Sequence, residues 1–85
     1  MKNTLFVANI SYDANHEDLT DWFASRGVVR RVKIIKDRET DRSKGYGFVT
    51  MSSEEEAQDC IRELHDKEFM GRPLVVTQGR EKGNR

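Results

Sequence analysis

The sequence is short of cysteine, histidine and long apolar runs, and each shortage excludes a class of protein. Cys60 is the only cysteine, so the chain can form neither an internal disulfide nor a multi-cysteine zinc site. His16 and His65 are far apart and lack partners at the spacing of metal ligands. No apolar run reaches the roughly 18 residues that a membrane-spanning helix needs. We therefore expect no metal, no cofactor and no membrane-spanning segment.

The chain is also short, and it starts without a targeting signal. Its 85 residues correspond to one domain, which buries roughly 60% of its unfolded surface. Such a core leaves little room for a deep cleft, which favours a binding domain over an enzyme. Residues 1–10 lack the basic stretch, apolar segment and small-residue cleavage site of a signal peptide. We expect a cytoplasmic monomer.

The net charge is zero, but the charges are segregated along the chain. Residues 26–44 hold eight basic and three acidic side chains, a net charge of +5. Residues 54–68 hold two basic and seven acidic side chains, a net charge of −5. A pI of about 6.7 counts against nucleic acid, because domains that bind it usually have a pI above ~9. The basic segment nevertheless offers a local surface to an anionic partner.

The hydrophobic pattern alternates between a period of two and a period of about 3.6 residues, which predicts strands and helices in turn. Asn15 with Asp18 and Ser53 with Glu56 are typical of helix starts, and the second pair is the stronger signal. Each helix carries one apolar stripe. The predicted order is β-α-β-β-α-β, with strands at 4–8, 28–36, 44–51 and 74–77 and helices at 15–27 and 53–64.

One face of the predicted sheet carries aromatic residues where polar residues are expected. The two helices must cover one face, which leaves the other open to water. Strand alternation puts Phe6, Tyr46 and Phe48 on that open face, together with Ile35 and Val75. Exposed apolar groups rimmed by charge usually mark an interaction site. The basic residues expected around the rings are Arg31, Lys33, Lys44 and Arg80.

Aromatic rings within a basic groove suit single-stranded nucleic acid, because bases stack on rings and phosphates need cations. Gly45 and Gly47 alternate with Tyr46 and Phe48, and glycine weakens a strand unless another group must approach it closely. The pattern alone leaves an alternative open, in which the rings pack under a chain terminus or a protein partner, or simply tolerate exposure.

Two sequence motifs resemble those of a known family. Residues 44–49, KGYGFV, are similar to the octapeptide ribonucleoprotein motif of the RNA recognition motif family. Residues 5–10, LFVANI, are similar to its hexapeptide partner. The resemblance covers nearly the whole chain, and small single-domain bacterial members look most similar. It implies a single-stranded RNA-binding domain at residues 1–80 and a flexible tail at 81–85.

The resemblance also implies a fold and a role for each site residue. The fold is a ferredoxin-like α+β sandwich, in which a four-stranded antiparallel sheet of order 4-1-3-2 is backed by two helices. Phe6 and Phe48 would each stack a base, and Tyr46 would lie against the sugars between them. Lys44 would meet a phosphate. Base edges would be read from the end of the last strand, by backbone or side-chain groups of Thr77, Gln78 and Arg80.

The chain departs from the family pattern at three positions. Met51 replaces an aromatic residue at the end of the octapeptide, but alternation points it into the core. Arg26 stands where the family often has an aromatic residue, and Trp22 could supply that bulk. Asp66 replaces a frequent glycine, without consequence for the binding face.

Two other functions use the same order of elements. A protein-interaction domain would use the acidic helices or the aromatic face, but such domains tend to lose the sheet aromatics. An acyl-phosphate hydrolase needs an anion-binding loop, whereas Gly45-x-Gly47 lies on a strand and lacks a third glycine at Thr50. We therefore expect a binding protein and not an enzyme. Nothing in the sequence distinguishes RNA from single-stranded DNA, which depends on recognition of the 2′-hydroxyl.

Overall fold

A computed structural model describes residues 3–40 and 43–79, with the backbone alone at residues 43 and 44. Residues 81–85, predicted to form a tail, lie outside the described residues. The elements within the described ranges are, in chain order, β1 (Thr4–Ala8), α1 (His16–Ala24), β2 (Val29–Lys36), β3 (Ser43–Met51), α2 (Glu54–Leu64), β4 (Lys67–Phe69) and β5 (Arg72–Gln78).

The strands form one antiparallel sheet in the order β2-β3-β1-β5-β4. The predicted α+β fold with two helices is confirmed, but the prediction of four strands is wrong because β4 adds a fifth. β4 lies outside β5 and pairs with it through Lys67 with Leu74 and Phe69 with Arg72. Among the other four strands, the last, first, third and second lie side by side in the predicted order.

β4 escapes prediction because it is short and charged. Of its three residues, Lys67 and Glu68 are exposed and Phe69 is buried, which is too little to show an alternating pattern. The turn to β5 passes through Met70 and Gly71, whose φ angles are 54° and 90°. The Phe69 ring packs on the ring of Trp22 in α1, with centroids 5.0 Å apart, and this contact anchors the edge of the sheet.

Both helices begin at the predicted capping residues. Asn15 Oδ1 accepts a hydrogen bond from Asp18 N at 2.8 Å, and Asp18 Oδ2 accepts one from Asn15 N at 3.1 Å, which completes a capping box. Ser53 Oγ accepts from Glu56 N at 3.2 Å. The Glu56 carboxylate turns away and accepts instead from Val28 N, at 3.1 Å. The first helix therefore has the complete box, which reverses the ranking expected from sequence.

The helices cover one face of the sheet and leave the other open. α1 packs on β2, and α2 packs on β5, β1 and β3. Strand residues that point toward the helices are buried, and they pack against the apolar stripes of α1 and α2. The fully buried members of this core include Leu5, Val7, Leu19, Phe23, Val49, Met51, Ala57, Cys60, Leu74 and Val76.

The positions that depart from the family pattern fit the fold. Met51 is fully buried, as predicted. Asp66 has a φ of 67°, a conformation that glycine adopts freely and that aspartate tolerates. Trp22 packs against the core, while Arg26 is exposed. None of these side chains lies on the open face of the sheet.

Candidate nucleic-acid interface

Three aromatic rings lie together on the open face, and we call Phe6, Tyr46 and Phe48 the aromatic platform. Phe6 is central: its ring centroid is 5.7 Å from that of Phe48 and 6.0 Å from that of Tyr46. The rings are tilted against each other by 57° and 41°. All three side chains are half-buried, and none belongs to the core formed by the described residues. Their prediction as neighbours on one face is confirmed.

Strand pairing explains how residues far apart in sequence meet here. Phe6 and Phe48 are direct partners across β1 and β3, and Ala8 is the partner of Tyr46. Alternation along β1 places Leu5 and Val7 in the core, so Phe6 and Ala8 face outward. The small side chain of Ala8 leaves room beside the Tyr46 ring. The platform is therefore a direct result of the antiparallel register.

The two glycines of β3 serve the fold and not an approaching ligand. A Cβ atom on Gly47 would lie 2.2 Å from Lys33 O and 3.0 Å from Ile34 Cα, so the backbone of β2 occupies its place. Gly45 has a φ of 85°, which side chains of L-residues rarely adopt. The close approach that the sequence suggested is thus real at Gly47, but it is made by the neighbouring strand.

Cations line the edge strand next to the platform. Lys33 is the cross-strand partner of Phe48, and Arg31 is the partner of Thr50, one row further along the same face. Both cations are exposed. The register shifts between Val29 and Arg31, so that two exposed residues, Arg30 and Arg31, follow each other. β2 therefore presents a basic border along one side of the rings.

The acidic segment lies on the opposite layer of the domain. Glu54, Glu55 and Glu63 are exposed on α2, which packs against the covered face of the sheet. Arg62 forms an ion pair with Asp59 on the same helix, so this cation is engaged. The segregation of charge seen along the sequence therefore becomes a separation between the two layers, with the bases bordering the platform.

Two of the residues predicted to read base edges, Thr77 and Gln78, lie on opposite faces of the last strand. Thr77 is the partner of Phe6, so it lies in the same row as the rings and is exposed. Gln78 is instead the partner of the buried Leu5, and its Oε1 accepts a hydrogen bond from Gln58 Nε2 of α2 at 3.0 Å. Alternation turns the Gln78 side chain toward the helices, so only its backbone lies at the open face, and its predicted contact with base edges stays a prediction.

Two predicted cations fall where the structure says nothing of their side chains. Lys44 has a described backbone in β3 but no described side chain, and Arg80 lies outside the described residues. Tyr12, which the sequence analysis did not single out, lies in the loop after β1 and is 68% exposed. The signal that could have singled it out is a large aromatic side chain between a strand and a helix, without apolar neighbours in sequence.

Cys60 shows no sign of reactivity. It is fully buried in α2, and burial, followed by the nearby Asp59 and Glu56 carboxylates, raises the pKa of its thiol from 9.0 to about 11. In the described part of the chain, no group of three histidine, cysteine or acidic side chains could hold a metal ion. No helix within the same residues has the length and hydropathy to cross a membrane.

The fold and this site define a two-layer α+β domain that presents aromatic rings on an open, base-bordered sheet. Residues 5–75 match the model of a family described as "RNA recognition motif", and the chain belongs to this family. The match includes both β1 and β3, which carry the platform. The family predicted from residues 5–10 and 44–49 is therefore confirmed.

Relatives of this chain occur in plants and cyanobacteria. RbpA of Synechocystis sp. is 42% identical over 82 residues, which are 96% of this chain and 81% of that protein. The chloroplastic 28 kDa ribonucleoprotein of spinach, Spinacia oleracea, is 44% identical over 80 residues, 94% of this chain. The match spans only 34% of the spinach protein, so the chain corresponds to a part of it. The predicted similarity to small bacterial members is confirmed by RbpA.

Solved structures show the same fold. The crystal structure of the RNA-binding protein PG1 matches with a TM-score of 0.89 and 43% identity, over 93% of this chain and 95% of that one. A Sxl-lethal protein/RNA complex matches with a TM-score of 0.86 and 29% identity, over 91% of this chain and 47% of that one. RbpA and PG1 are named as RNA-binding proteins and the spinach relative as a ribonucleoprotein, which agrees with a binding domain and not with an enzyme.

Proposed function

We propose that this domain binds single-stranded RNA across the aromatic platform. Phe6 and Phe48 each stack one base, and Tyr46 lies against the sugar between them. The observation that carries the proposal is the contact of three half-buried rings on the open face, bordered by the cations of β2. A relative of the same fold has been solved as a complex with RNA, which supports RNA as the ligand.

Charged and polar residues around the aromatic platform make further contacts in the proposed binding mode. Lys33 and Arg31 border the rings and contact phosphates, and Lys44 contacts a further phosphate from the start of β3. Thr77, in the row of Phe6, contributes to reading base edges. Gln78 contributes through its backbone, because its side chain bonds to α2. Arg80 follows the last strand, and we assign it to the same base-edge group.

The energies involved suggest a moderate affinity. Stacking of a base on an aromatic ring contributes about 1–3 kcal/mol. Two stacked bases and a few phosphate contacts, less the entropy lost on association, correspond to a Kd of roughly micromolar order. Few phosphates are neutralised and the acidic helix faces away, so the affinity should depend only modestly on salt.

Removal of one ring tests the platform. We expect Phe48→Ala to weaken binding of a short RNA at least about tenfold, which is the loss of one stacked base. Because the Phe48 ring lies outside the described core, the thermal unfolding midpoint should change little. Val28→Ala is the control, since Val28 is 59% exposed and precedes β2, away from the rings. Equal affinities of Phe48→Ala and the parent chain, at one salt concentration, would exclude stacking on Phe48.

The choice between RNA and single-stranded DNA needs its own experiment. Selection from a random RNA pool, with a DNA pool of the same design in parallel, identifies both the preferred sugar and the preferred sequence. The proposal expects enrichment from the RNA pool. Enrichment from the DNA pool alone would replace RNA by single-stranded DNA as the ligand, with the same platform.

We also propose that the domain acts as a monomer. The two edges of the sheet are β2 and β4, and both are poor templates for pairing with a second chain. β2 carries exposed charges at Arg30, Arg31, Lys33 and Lys36, and β4 has three residues. Sedimentation equilibrium with and without RNA tests this. A cytoplasmic location remains a prediction that cell fractionation would check.

A further inference from the structure

Tyr12 is the most exposed of the large apolar side chains that the structure describes, at 68%. It lies in the loop between β1 and α1. Its ring lies beside Gly45: a Cβ atom placed on that glycine would be 3.6 Å from Tyr12 Cε1. Gly45 directly precedes Tyr46 in β3. The exposed ring therefore lies beside the backbone that carries the platform.

A cation lies over this ring and is held there. Arg72 Cζ is 5.7 Å from the centroid of the Tyr12 ring, within the range of a cation–π interaction. Arg72 Nη2 donates a hydrogen bond to Asn9 Oδ1 at 2.8 Å. Asn9 Nδ2 donates in turn to Pro73 O, also at 2.8 Å. Asn9 thereby ties the guanidinium to the loop, and we call Asn9, Tyr12 and Arg72 the loop cluster.

The loop cluster begins where the platform ends. Asn9 follows Ala8, and Ala8 is the partner of Tyr46 on one side and of Val75 on the other. In addition, Ile10 N donates a hydrogen bond to Gly45 O at 2.9 Å, which fixes the loop to the start of β3. A strand of RNA that leaves the Tyr46 end of the platform would meet these residues next.

The groups of this arrangement remain accessible to a ligand. An exposed cation–π pair contributes little to stability in water. Tyr12 keeps an accessible ring, and the Arg72 guanidinium carries five N–H donors, of which Asn9 engages only part. These are the two kinds of group, a stacking surface and a phosphate-binding cation, that the platform and β2 also supply.

We propose that the loop cluster is a further nucleotide-binding site for the same RNA strand. A base stacks on Tyr12, Arg72 pairs with the adjoining phosphate, and Asn9 is a positioning residue that acts through Arg72. This inference rests on the function proposed for the platform, because the strand reaches the loop from Tyr46. The site is filled only when the RNA is long enough to extend past the platform.

A length series separates the two sites. Oligouridine RNAs of roughly two to eight nucleotides are titrated against the parent chain, Tyr12→Ala, Tyr12→Phe and the control Val28→Ala. For the parent, affinity rises with length and then levels off. We expect Tyr12→Ala to match the parent for the shortest RNAs and to bind the longer ones about tenfold more weakly. Tyr12→Phe keeps the ring and should follow the parent throughout.

Each other outcome has a definite meaning. Parent affinity of Tyr12→Ala at every length would overturn the loop site while leaving the platform intact. An equal loss at every length would also overturn it, because Tyr12 would then act by supporting the platform. If Phe48→Ala binds as the parent does and Tyr12→Ala still weakens long RNAs, the proposed stacking on Phe48 fails and the loop cluster does not. The two failures are therefore distinguishable.

Two further variants test Arg72 and its support. Arg72→Gln should weaken binding of long RNAs and lower the dependence of log Kd on log salt by about 0.7, the value for one phosphate of a single strand. Asn9→Gly keeps the backbone, whose φ is 59°, unstrained while it releases Arg72. If Asn9 acts through Arg72, the double variant Asn9→Gly/Arg72→Gln is no weaker than Arg72→Gln alone. Additive losses would show that Asn9 contacts RNA independently.

Discussion

Lys33 and Phe48 are direct partners across β2 and β3. The Lys33 side chain therefore lies on the same face of the sheet as the ring that we expect to stack a base. Phe48 is in turn the partner of Phe6, and Phe6 the partner of Thr77. One row across the sheet therefore holds a cation, two rings and a hydroxyl. The cation suits a phosphate, the rings suit stacked bases, and the hydroxyl suits a hydrogen bond with a base edge. The row therefore offers a group for each of these parts of a nucleotide.

The first prediction concerns the cation of this row. Lys33→Gln should weaken RNA binding by a similar factor for every sequence, and should lower the salt dependence of log Kd by about 0.7. The reason is the loss of one phosphate contact without the loss of a ring. Lys67→Gln is the matched control, since Lys67 is exposed on β4 at the far edge of the sheet. Titrations at several salt concentrations measure both quantities; an unchanged salt dependence in Lys33→Gln would argue against a phosphate contact.

The second prediction concerns the glycine beneath that row. Gly47→Ala should lower the free energy of unfolding by about 1–3 kcal/mol, because the added Cβ meets the backbone of β2, which cannot rotate away. Urea denaturation measures the change. Lys36→Ala serves as the control, because Lys36 is exposed on β2 and its truncation brings no new atom against a neighbouring strand. A Gly47→Ala variant as stable as the parent would mean that β2 and β3 separate easily.

The third prediction concerns the start of α1. Asn15→Ala removes the side chain that accepts from Asp18 N and should lower the free energy of unfolding by about 1 kcal/mol. Asn15→Asp keeps the acceptor and should change stability by much less. Both variants should bind RNA as the parent does, because the cap lies in the helical layer. A loss of affinity in Asn15→Ala at a temperature where it remains folded would connect α1 to the binding face.

The fourth prediction uses the raised pKa of the Cys60 thiol. Below about pH 9 the thiol is protonated in both the folded and the unfolded chain, so it contributes no pH dependence. Between pH 9 and about 11 the unfolded chain loses this proton while the folded chain keeps it, so the free energy of unfolding falls as pH rises.

Cys60→Ala isolates this contribution. The substitution removes a buried sulfur and destabilises the fold at every pH, but it also removes the titrating group. Urea denaturation at about pH 8 and about pH 10.5 should therefore show a smaller pH-dependent loss in the variant than in the parent. Equal losses in the two proteins would assign the pH dependence to other groups.

Most of the fold is predictable because the hydrophobic residues of most helices and strands follow a regular period. Leu5 and Val7 in β1, and the stripe that contains Ala57 and Leu64 in α2, carry patterns long enough to assign both element and face. β4 carries no such pattern: only Phe69 of its three residues is buried, and the burial depends on the distant Trp22. A short strand held by pairing with β5 and by one ring contact with α1 leaves no local signal.

The site is predictable where it follows alternation and unpredictable where it depends on three-dimensional neighbours. Phe6 and Phe48 face outward because every second residue does. The hydrogen bond of Gln78 to Gln58 of α2 depends on such a neighbour, since the strand continues one residue beyond Thr77 and turns Gln78 toward that helix. The contact of Arg72 with Tyr12 joins residues 60 positions apart in sequence, and only the register of β1 with β5 brings them together.

The separation of charge between β2 and α2 has a consequence for how the protein meets its ligand. A molecule with no net charge is not attracted strongly to a polyanion. Its electric dipole moment nevertheless experiences a torque in the field of the polyanion. The domain would therefore turn its basic border toward an RNA strand before contact, within about one Debye length, roughly 8 Å at physiological salt. Collisions become productive through orientation, while RNA that meets the acidic helix is turned away.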